Sequence, residues 1–201
     1  MRILHISDTH GLHCKLNTLP DADVIVHSGD FTLNGTDNEA LDFIEWFCDS
    51  PYKHKIFIAG NHDGCMMDAS LDGLPENVHY LADSGVSIDG VYFYGVPMFC
   101  GNVNGKTQEV ERCDSIPNNV DILISHRPPL GILDGGEERH FGSVSILSCI
   151  NEIRPRLNLF GHVHNGYGMM KWKNIVFSNA CIVDDDYNIT NNPRVIDYSR
   201  F

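Results

Sequence analysis

Short apolar runs rich in Val and Ile recur along this chain, and each ends in a small or polar block. Residues 2–6, 23–27 and 55–59 are near-continuous apolar runs, the pattern of strands buried on both faces. Between the second and third runs, Ala40, Leu41, Ile44, Trp46, Phe47 and Cys48 form a rough helical stripe over residues 38–48, with Asp37 or Asn38 as N-cap. Strand, helix and strand at this spacing predict a parallel βαβ unit. Further on, residues 86–88 and 91–94 flank Asp89-Gly90, a hairpin turn signal. Residues 121–124 read as another buried strand, 143–153 as a helix stopped before Pro155, and 157–160 as a strand. A second hairpin is predicted from 169–172 and 175–177 around Lys173-Asn174, and a last strand over 195–198. Repeats, low-complexity tracts and linker-like shifts are absent from the sequence, so residues 1–201 read as one domain. Parallel units followed by hairpins fit two mixed sheets packed face to face with helices outside.

Composition narrows the class. The 201 residues, 42% hydrophobic and 20% charged, suffice for one sizeable core and argue against disorder. A formal net charge of -13 disfavours nucleic-acid polymers and anionic membrane surfaces. A small anion is still admissible, because a metal site makes its own positive field. The seven cysteines are scattered and odd in number, without a Cys-x-x-Cys pair, which predicts reduced thiols and a cytoplasmic location. No signal-peptide pattern is visible, and no run approaches the roughly 18 apolar residues of a membrane helix. No obligate protein partner is expected.

The polar blocks that end the apolar runs carry the chemistry. They are Ser7-Asp8-Thr9-His10, Gly29-Asp30, Gly60-Asn61-His62-Asp63, Ser125-His126 and Gly161-His162-Val163-His164. Asp8, His10, Asp30, Asn61, His126, His162 and His164 thus offer oxygen and imidazole donors at strand ends, as a two-metal hydrolytic site requires. Side chains two apart on a strand point to one side, so Asp8 and His10 can reach one ion, and so can His162 and His164. Gly29 and Gly60, lacking side chains, would let an ion approach the backbone. An Asp-x-His triplet or a Gly-Asp turn alone is a weak signal. Gly-Asn-His-Asp, and Gly-His-x-His after a buried strand, are specific. A donor set without thiolate suits Mn²⁺, Fe or Zn²⁺ and argues against Ca²⁺, with Mn²⁺ the first expectation.

In this order the five blocks resemble the calcineurin-like metallophosphoesterases, a family of dinuclear phosphate-ester hydrolases. The resemblance implies a four-layer αββα sandwich of two mixed β-sheets flanked by helices. It places Asp8, His10 and His164 on a first divalent metal, Asn61, His126 and His162 on a second, and Asp30 between them. The implied nucleophile is a metal-bridging hydroxide, with metals about 3.5–4 Å apart clamping the phosphoryl oxygens. Two divalent ions, offset by Asp8, Asp30 and that hydroxide, would leave the site at about +1 inside an acidic protein. Asn61 and His62 would contact substrate, His62 would protonate the leaving oxygen, and Asp63 would orient His62.

Departures from the wider family point to the substrate class. Protein Ser/Thr phosphatases of this superfamily carry one arginine after Gly-Asp and another just before Gly-Asn-His, which grip a dianionic monoester. Here Phe31 follows Gly29-Asp30, and Ala59 precedes Gly60. A diester carries one charge fewer and needs less cationic clamping. A closer resemblance, covering nearly the whole chain, is to the metallophosphoesterase-domain-containing branch. It rests on Ser7-Asp8-Thr9-His10, Gly29-Asp30-Phe31-Thr32, His126 followed by Pro128-Pro129-Leu130-Gly131, and Arg154-Pro155 through Gly161-His162-Val163-His164-Asn165-Gly166-Tyr167-Gly168. Its better-known members are phosphodiesterases acting on model diesters and 2',3'-cyclic nucleotides. The expectation is a phosphodiesterase for small diesters such as cyclic nucleotides, with a phosphomonoesterase or Ser/Thr-phosphatase-like hydrolase as the alternative. A binding scaffold would require lost ligands, and none is lost. Arg127, His13 and His140 are weaker candidates for substrate contact. His5 and His27 read as core or supporting residues, His54 and His79 as surface, and Phe99 as an aromatic beside the pocket.

Overall fold

The computed structural model describes residues 1–199 apart from 17, 104, 105, 111, 112, 114, 137 and 138, and describes side chains apart from those of 100–103, 106–110 and 136. The chain runs through β1 (Arg2–Ile6), β2 (Val24–His27), α1 (Asp37–Asp49), β3 (His54–Phe57), β4 (Val78–Tyr80), β5 (Ser84–Ile88), β6 (Val91–Val96), β7 (Phe99–Val103) and β8 (Lys106–Val110). It continues with β9 (Ile122–Ser125), β10 (Gly135–Gly136), β11 (Arg139–His140), α2 (Val144–Ile153), β12 (Leu157–Phe160), β13 (Gly168–Trp172), β14 (Ile175–Asn179) and β15 (Arg194–Asp197).

Two mixed sheets carry the fold. The first has the order β15-β1-β2-β3-β4, parallel except for β15. The second has the order β13-β14-β12-β9-β6-β5, parallel at its centre and antiparallel at both edges. Period-two alternation divides each central strand between two cores. Ile3, Val24, Val26 and Ile56 face inward against Phe93, Ile122, Ile124, Leu157 and Leu159 of the other sheet. Leu4, Ile25 and Phe57 face outward under α1, and Leu123, Phe160 and Phe177 under α2. Sheet on sheet with a helix over each outer face is the predicted αββα sandwich, and it explains why the central strands read as continuous apolar runs.

The α1 helix presents Ala40, Phe43 and Phe47 to its sheet, with the Phe43 ring stacked on Phe31 at 4.3 Å. Truncating a buried ring such as Phe43 typically costs about 3–5 kcal/mol. Two predicted details of α1 are corrected. The N-cap is Thr36, which forms a capping box with Glu39, in place of Asp37 or Asn38. Leu41 is exposed, and Phe43 takes the core position. The α2 helix is capped by Ser143 and ends at Arg154, whose left-handed conformation turns the chain toward Pro155. His54 and His79 are half-buried, where surface positions were expected. Among the described residues, no helix is long and apolar enough to cross a membrane.

Candidate metal centre

All five polar blocks leave the C-terminal ends of parallel strands: β1, β2 and β3 in one sheet, β9 and β12 in the other. In open α/β sheets that edge is where ligands bind. Backbone bonds then lace the blocks together. Asp8 N–H donates to Gly29 O at 3.0 Å, His10 N–H to Asp30 O at 3.0 Å, and Gly161 N–H to His126 O at 2.9 Å. Asp8, His10, Asp30 and His162 all have left-handed φ, at 54°, 42°, 57° and 67°. That conformation is costly for residues with a Cβ and tends to concentrate at functional sites.

These turns correct the expected reason for side-chain convergence. Asp8 and His10 lie beyond β1 and are brought together by two left-handed residues, not by strand alternation. His162 and His164 do not meet at one point: His164 gathers with Asp8 and His10, and His162 with Asp30 and His126. The role expected of the glycines also changes. A Cβ on Gly29 would stand 2.5 Å from His126 Nδ1 and 2.8 Å from Gly60 N, so Gly29 lets two loops and a histidine close-pack.

The two clusters meet at Asp30. Its Oδ2 lies 3.2 Å from His126 Nε2 on one side and 4.0 Å from His10 Nε2 on the other. Asp8 Oδ1 lies 3.5 Å from His164 Nε2 and 4.0 Å from His10 Nε2. Asn61 Oδ1 sits 3.1 Å from His126 Nε2, completing the brought-together set.

Tautomers follow from the hydrogen bonds, because a carbonyl only accepts. His10 Nδ1–H donates to Thr32 O at 3.1 Å, His126 Nδ1–H to Ser28 O at 2.8 Å, and His164 Nδ1–H to Asp184 O at 2.9 Å. Each neutral ring therefore turns an Nε2 lone pair toward the centre, the arrangement that orients metal-bound imidazoles. His10 Nε2 is buried with no hydrogen-bond partner. His126 Nε2 faces the Asn61 oxygen, and two lone pairs at that distance repel unless a proton or cation lies between them. Donors bonded to one ion at about 2.0–2.2 Å stand roughly 3.0–3.5 Å apart, so the separations at His126 and His164 suit shared ions, and those at His10, 4.0 Å each, are slightly wider.

The field agrees. Burial opposes ionisation of Asp8, yet the hydrogen bond with His164 and the charges of His126 and His10 hold its carboxyl well below the usual range. Burial also opposes a charged His126, but the Asp30 carboxylate and then Asp8 push its pKa up to about 10. His162 is pulled down to about 4 by burial and by His126. The centre thus demands positive charge at Nε2 of His126, which a proton or a metal ion can meet. The residues present fit a pair of divalent cations.

Asp63 does something other than expected. It is fully buried, and its Oδ2 accepts from Asp30 N at 2.8 Å and Gly60 N at 2.8 Å. Its Oδ1 accepts from Thr32 N and Thr32 Oγ1, both at 2.9 Å. Asp63 therefore pins two of the donor-bearing loops together. The His62 ring is oriented instead by Leu33, whose carbonyl accepts from Nδ1 at 2.8 Å. His62 also lies close enough to His10 and Asp30 to form a third donor group with them.

Arg127 reaches the rim, where its Nε donates to Phe141 O at 2.7 Å. His140 bonds Asp134 at 2.8 Å, and His13 is buried beside α1, so neither is brought to the centre. Phe99 lines a different cavity, with Met66 and Pro97. The aromatics at the centre are Phe141 and Tyr187. Tyr187 packs edge-on to His10, with ring centroids 4.8 Å apart. Cys181, also missed, is buried and donates its thiol hydrogen to Asp8 Oδ2 at 3.1 Å. Neither residue has a motif that would announce it.

Comparison with known proteins agrees with this geometry. Residues 1–166 match the calcineurin-like phosphoesterase family. UPF0046 protein K07C11.7 of Caenorhabditis elegans is 37% identical, over 97% of this chain and 74% of that protein. Human metallophosphoesterase domain-containing protein 1 is 35% identical, over 98% of this chain and 70% of its own length. The crystal structure of TT1561 of Thermus thermophilus superposes with a TM-score of 0.60 at 15% identity, covering 89% of this chain and 88% of that one, and so shares the fold. The chain belongs to the calcineurin-like phosphoesterase family and is a metal-dependent phosphoesterase.

Proposed function

We propose that this phosphoesterase is a phosphodiesterase acting on small diesters, cyclic nucleotides among them. Asp8, His10 and His164 would hold one divalent ion, Asn61, His126 and His162 the other, and Asp30 both. Two such ions supply Lewis-acid charge for the phosphoryl oxygens and lower the pKa of an attacking water. Mn²⁺ is the first candidate, with Fe or Zn²⁺ compatible with the same oxygen and imidazole donors. A cytoplasmic location goes with this reading.

One observation carries the diester assignment. The cavity over the centre, about 310 Å³, is walled by His62, Phe141, Asn165, Asp185 and Tyr187 beside the candidate ligands, and its described lining holds no lysine or arginine. A monoester dianion would meet the Asp185 carboxylate there and no lysine or arginine beside the ions. His62 completes the site from its side chain. Its Nδ1–H is committed to Leu33 O, so the mobile proton is the one at Nε2. The imidazolium gives that proton to the leaving oxygen and returns to the neutral Nδ1–H tautomer.

The test compares bis(p-nitrophenyl) phosphate with p-nitrophenyl phosphate, which share a leaving group, with Mn²⁺ at neutral pH. Charge-assisted hydrogen bonds contribute about 1.5–3 kcal/mol each, so each missing arginine should cost the monoester roughly ten- to a hundredfold. A higher kcat/KM for the diester is expected. Equal efficiency, or preference for the monoester, would overturn the assignment and give the phosphate clamp to Arg127.

A further inference from the structure

His13, Cys14 and Asp42 bring an imidazole nitrogen, a thiol sulfur and a carboxylate oxygen within 4.8 Å of one another. None of the three belongs to the centre described above. His13 and Cys14 lie in the turn that follows the Asp8–His10 segment, and Asp42 lies on α1. The His13 side chain is 1% exposed and packs against the rings of Phe43 and Trp46, at 5.6 and 5.2 Å between centroids.

The environment of this histidine is unusual. Its Nε2 stands 3.1 Å from Asp42 Oδ2 in poor hydrogen-bond alignment, and its Nδ1 has no partner. Burial lowers its pKa against the opposing pull of Asp42, which favours the neutral ring that a metal ion needs. A buried imidazole nitrogen left unmatched is destabilising unless something else meets it. The Nε2 and Oδ2 atoms also have the spacing of neighbouring ligands. Bonds of about 2.0–2.1 Å at a tetrahedral angle put donors roughly 3.3 Å apart. Cys14 adds an exposed free thiol beside them.

We propose that His13, Cys14 and Asp42 form a separate metal site for Zn²⁺ or a similar borderline divalent ion, with solvent in the remaining position. One nitrogen, one sulfur and one oxygen donor match zinc chemistry, whereas the dinuclear centre offers no thiolate. On binding, the Cys14 S–H bond breaks, the sulfur–metal bond forms and the proton leaves to solvent. The ion would tie α1 to the turn that carries His13 and Cys14.

Cobalt distinguishes the two sites. The Mn²⁺-loaded enzyme is titrated with CoCl₂ and followed by near-ultraviolet absorption and tryptophan emission. One equivalent per chain should give a thiolate-to-cobalt charge-transfer band and quench Trp46, which lies against His13. Cys14→Ser should abolish the band while leaving circular dichroism and phosphoesterase activity unchanged, and Asp42→Asn should weaken cobalt binding at least tenfold. Because Cys14 and Asp42 are exposed, both variants should fold. Absence of the band in the parent, its persistence in Cys14→Ser, or unchanged affinity in Asp42→Asn would overturn the proposal.

Discussion

Replacing Asp63 by Asn separates a brace from a catalytic orienter. The change keeps the size of the side chain and replaces one oxygen with an NH₂ group. Oδ2 accepts from Asp30 N and Gly60 N, and Oδ1 from Thr32 N and Thr32 Oγ1. Either flip of the amide therefore sets a donor against backbone N–H. Placed at Oδ2, it leaves two buried N–H groups without acceptors. Burial and the neighbouring Asp30 push the Asp63 carboxyl up to about 7, against the hydrogen bonds from Gly60 and Thr32, which favour the carboxylate. The amide settles in the cheaper flip, with NH₂ beside Thr32, whose hydroxyl can turn to accept, so one buried N–H loses its acceptor at a cost of about 1–3 kcal/mol. Against a total stability of about 5–15 kcal/mol this is a substantial fraction, and it should lower Tm by roughly 2–12 °C in a protein of this size. Metal content should fall with it, because the loops carrying Asp30 and Asn61 lose their common anchor. Thermal unfolding by circular dichroism and elemental analysis of the dialysed protein measure both. An unchanged Tm and full metal content with only turnover reduced would refute the brace and restore Asp63 as the residue that orients His62.

His62→Ala should reduce turnover by roughly 10²–10⁴-fold and leave metal content at the parental level, by elemental analysis, because the ring's assigned task is proton transfer. Loss of metal would move His62 into the ligand set beside His10 and Asp30. Stability should also fall in acid for a stated reason. Burial holds His5 and His27 at about 3, below the ordinary 6.5, so between those values the unfolded chain binds more protons than the folded one. Their contribution is fully present above about pH 6.5 and is lost as pH falls toward 3, each adding a slope approaching 1.4 kcal/mol per pH unit, roughly. His5→Gln should flatten the dependence of unfolding free energy on pH between 6 and 4 by about one such increment, measured by urea melts. An unchanged slope would show that His5 is not held neutral by the fold.

The elements easiest to read in the sequence are those buried on two sides. The runs at 2–6, 157–160 and the two hairpins appear within two residues of prediction, because continuous apolar character there reflects the two cores. Val78–Tyr80 escapes a sequence reading because only Val78 of its three residues is fully buried and its apolar signal is short. The Thr36-x-x-Glu39 capping box is legible, but the more familiar capping residues Asp37 and Asn38 stand next to it. The candidate ligands can be found because their blocks follow strands, whereas their division into two groups comes from the family resemblance and not from residue spacing. Left-handed backbone at Asp8, His10 and His162 decides which side chains meet, and non-glycine residues give no sequence sign of it. Tyr187 and Cys181 enter the centre after the last recognisable block. Cys181 is placed by a parallel bridge to Ser7, and the turn that carries Tyr187 by Asp184, which accepts from the backbone N–H of Asp186 and Asn188.

The central claim is that Asp30 joins two cation positions, one built on Asp8, His10 and His164 and the other on Asn61, His126 and His162. Anomalous diffraction from crystals of the Mn²⁺-loaded protein measures this directly. Two peaks, with Asp30 contacting both and each remaining donor contacting the ion of its own group, are expected. A single peak in fully loaded crystals, or an Asp30 carboxylate turned away from either ion, would contradict it.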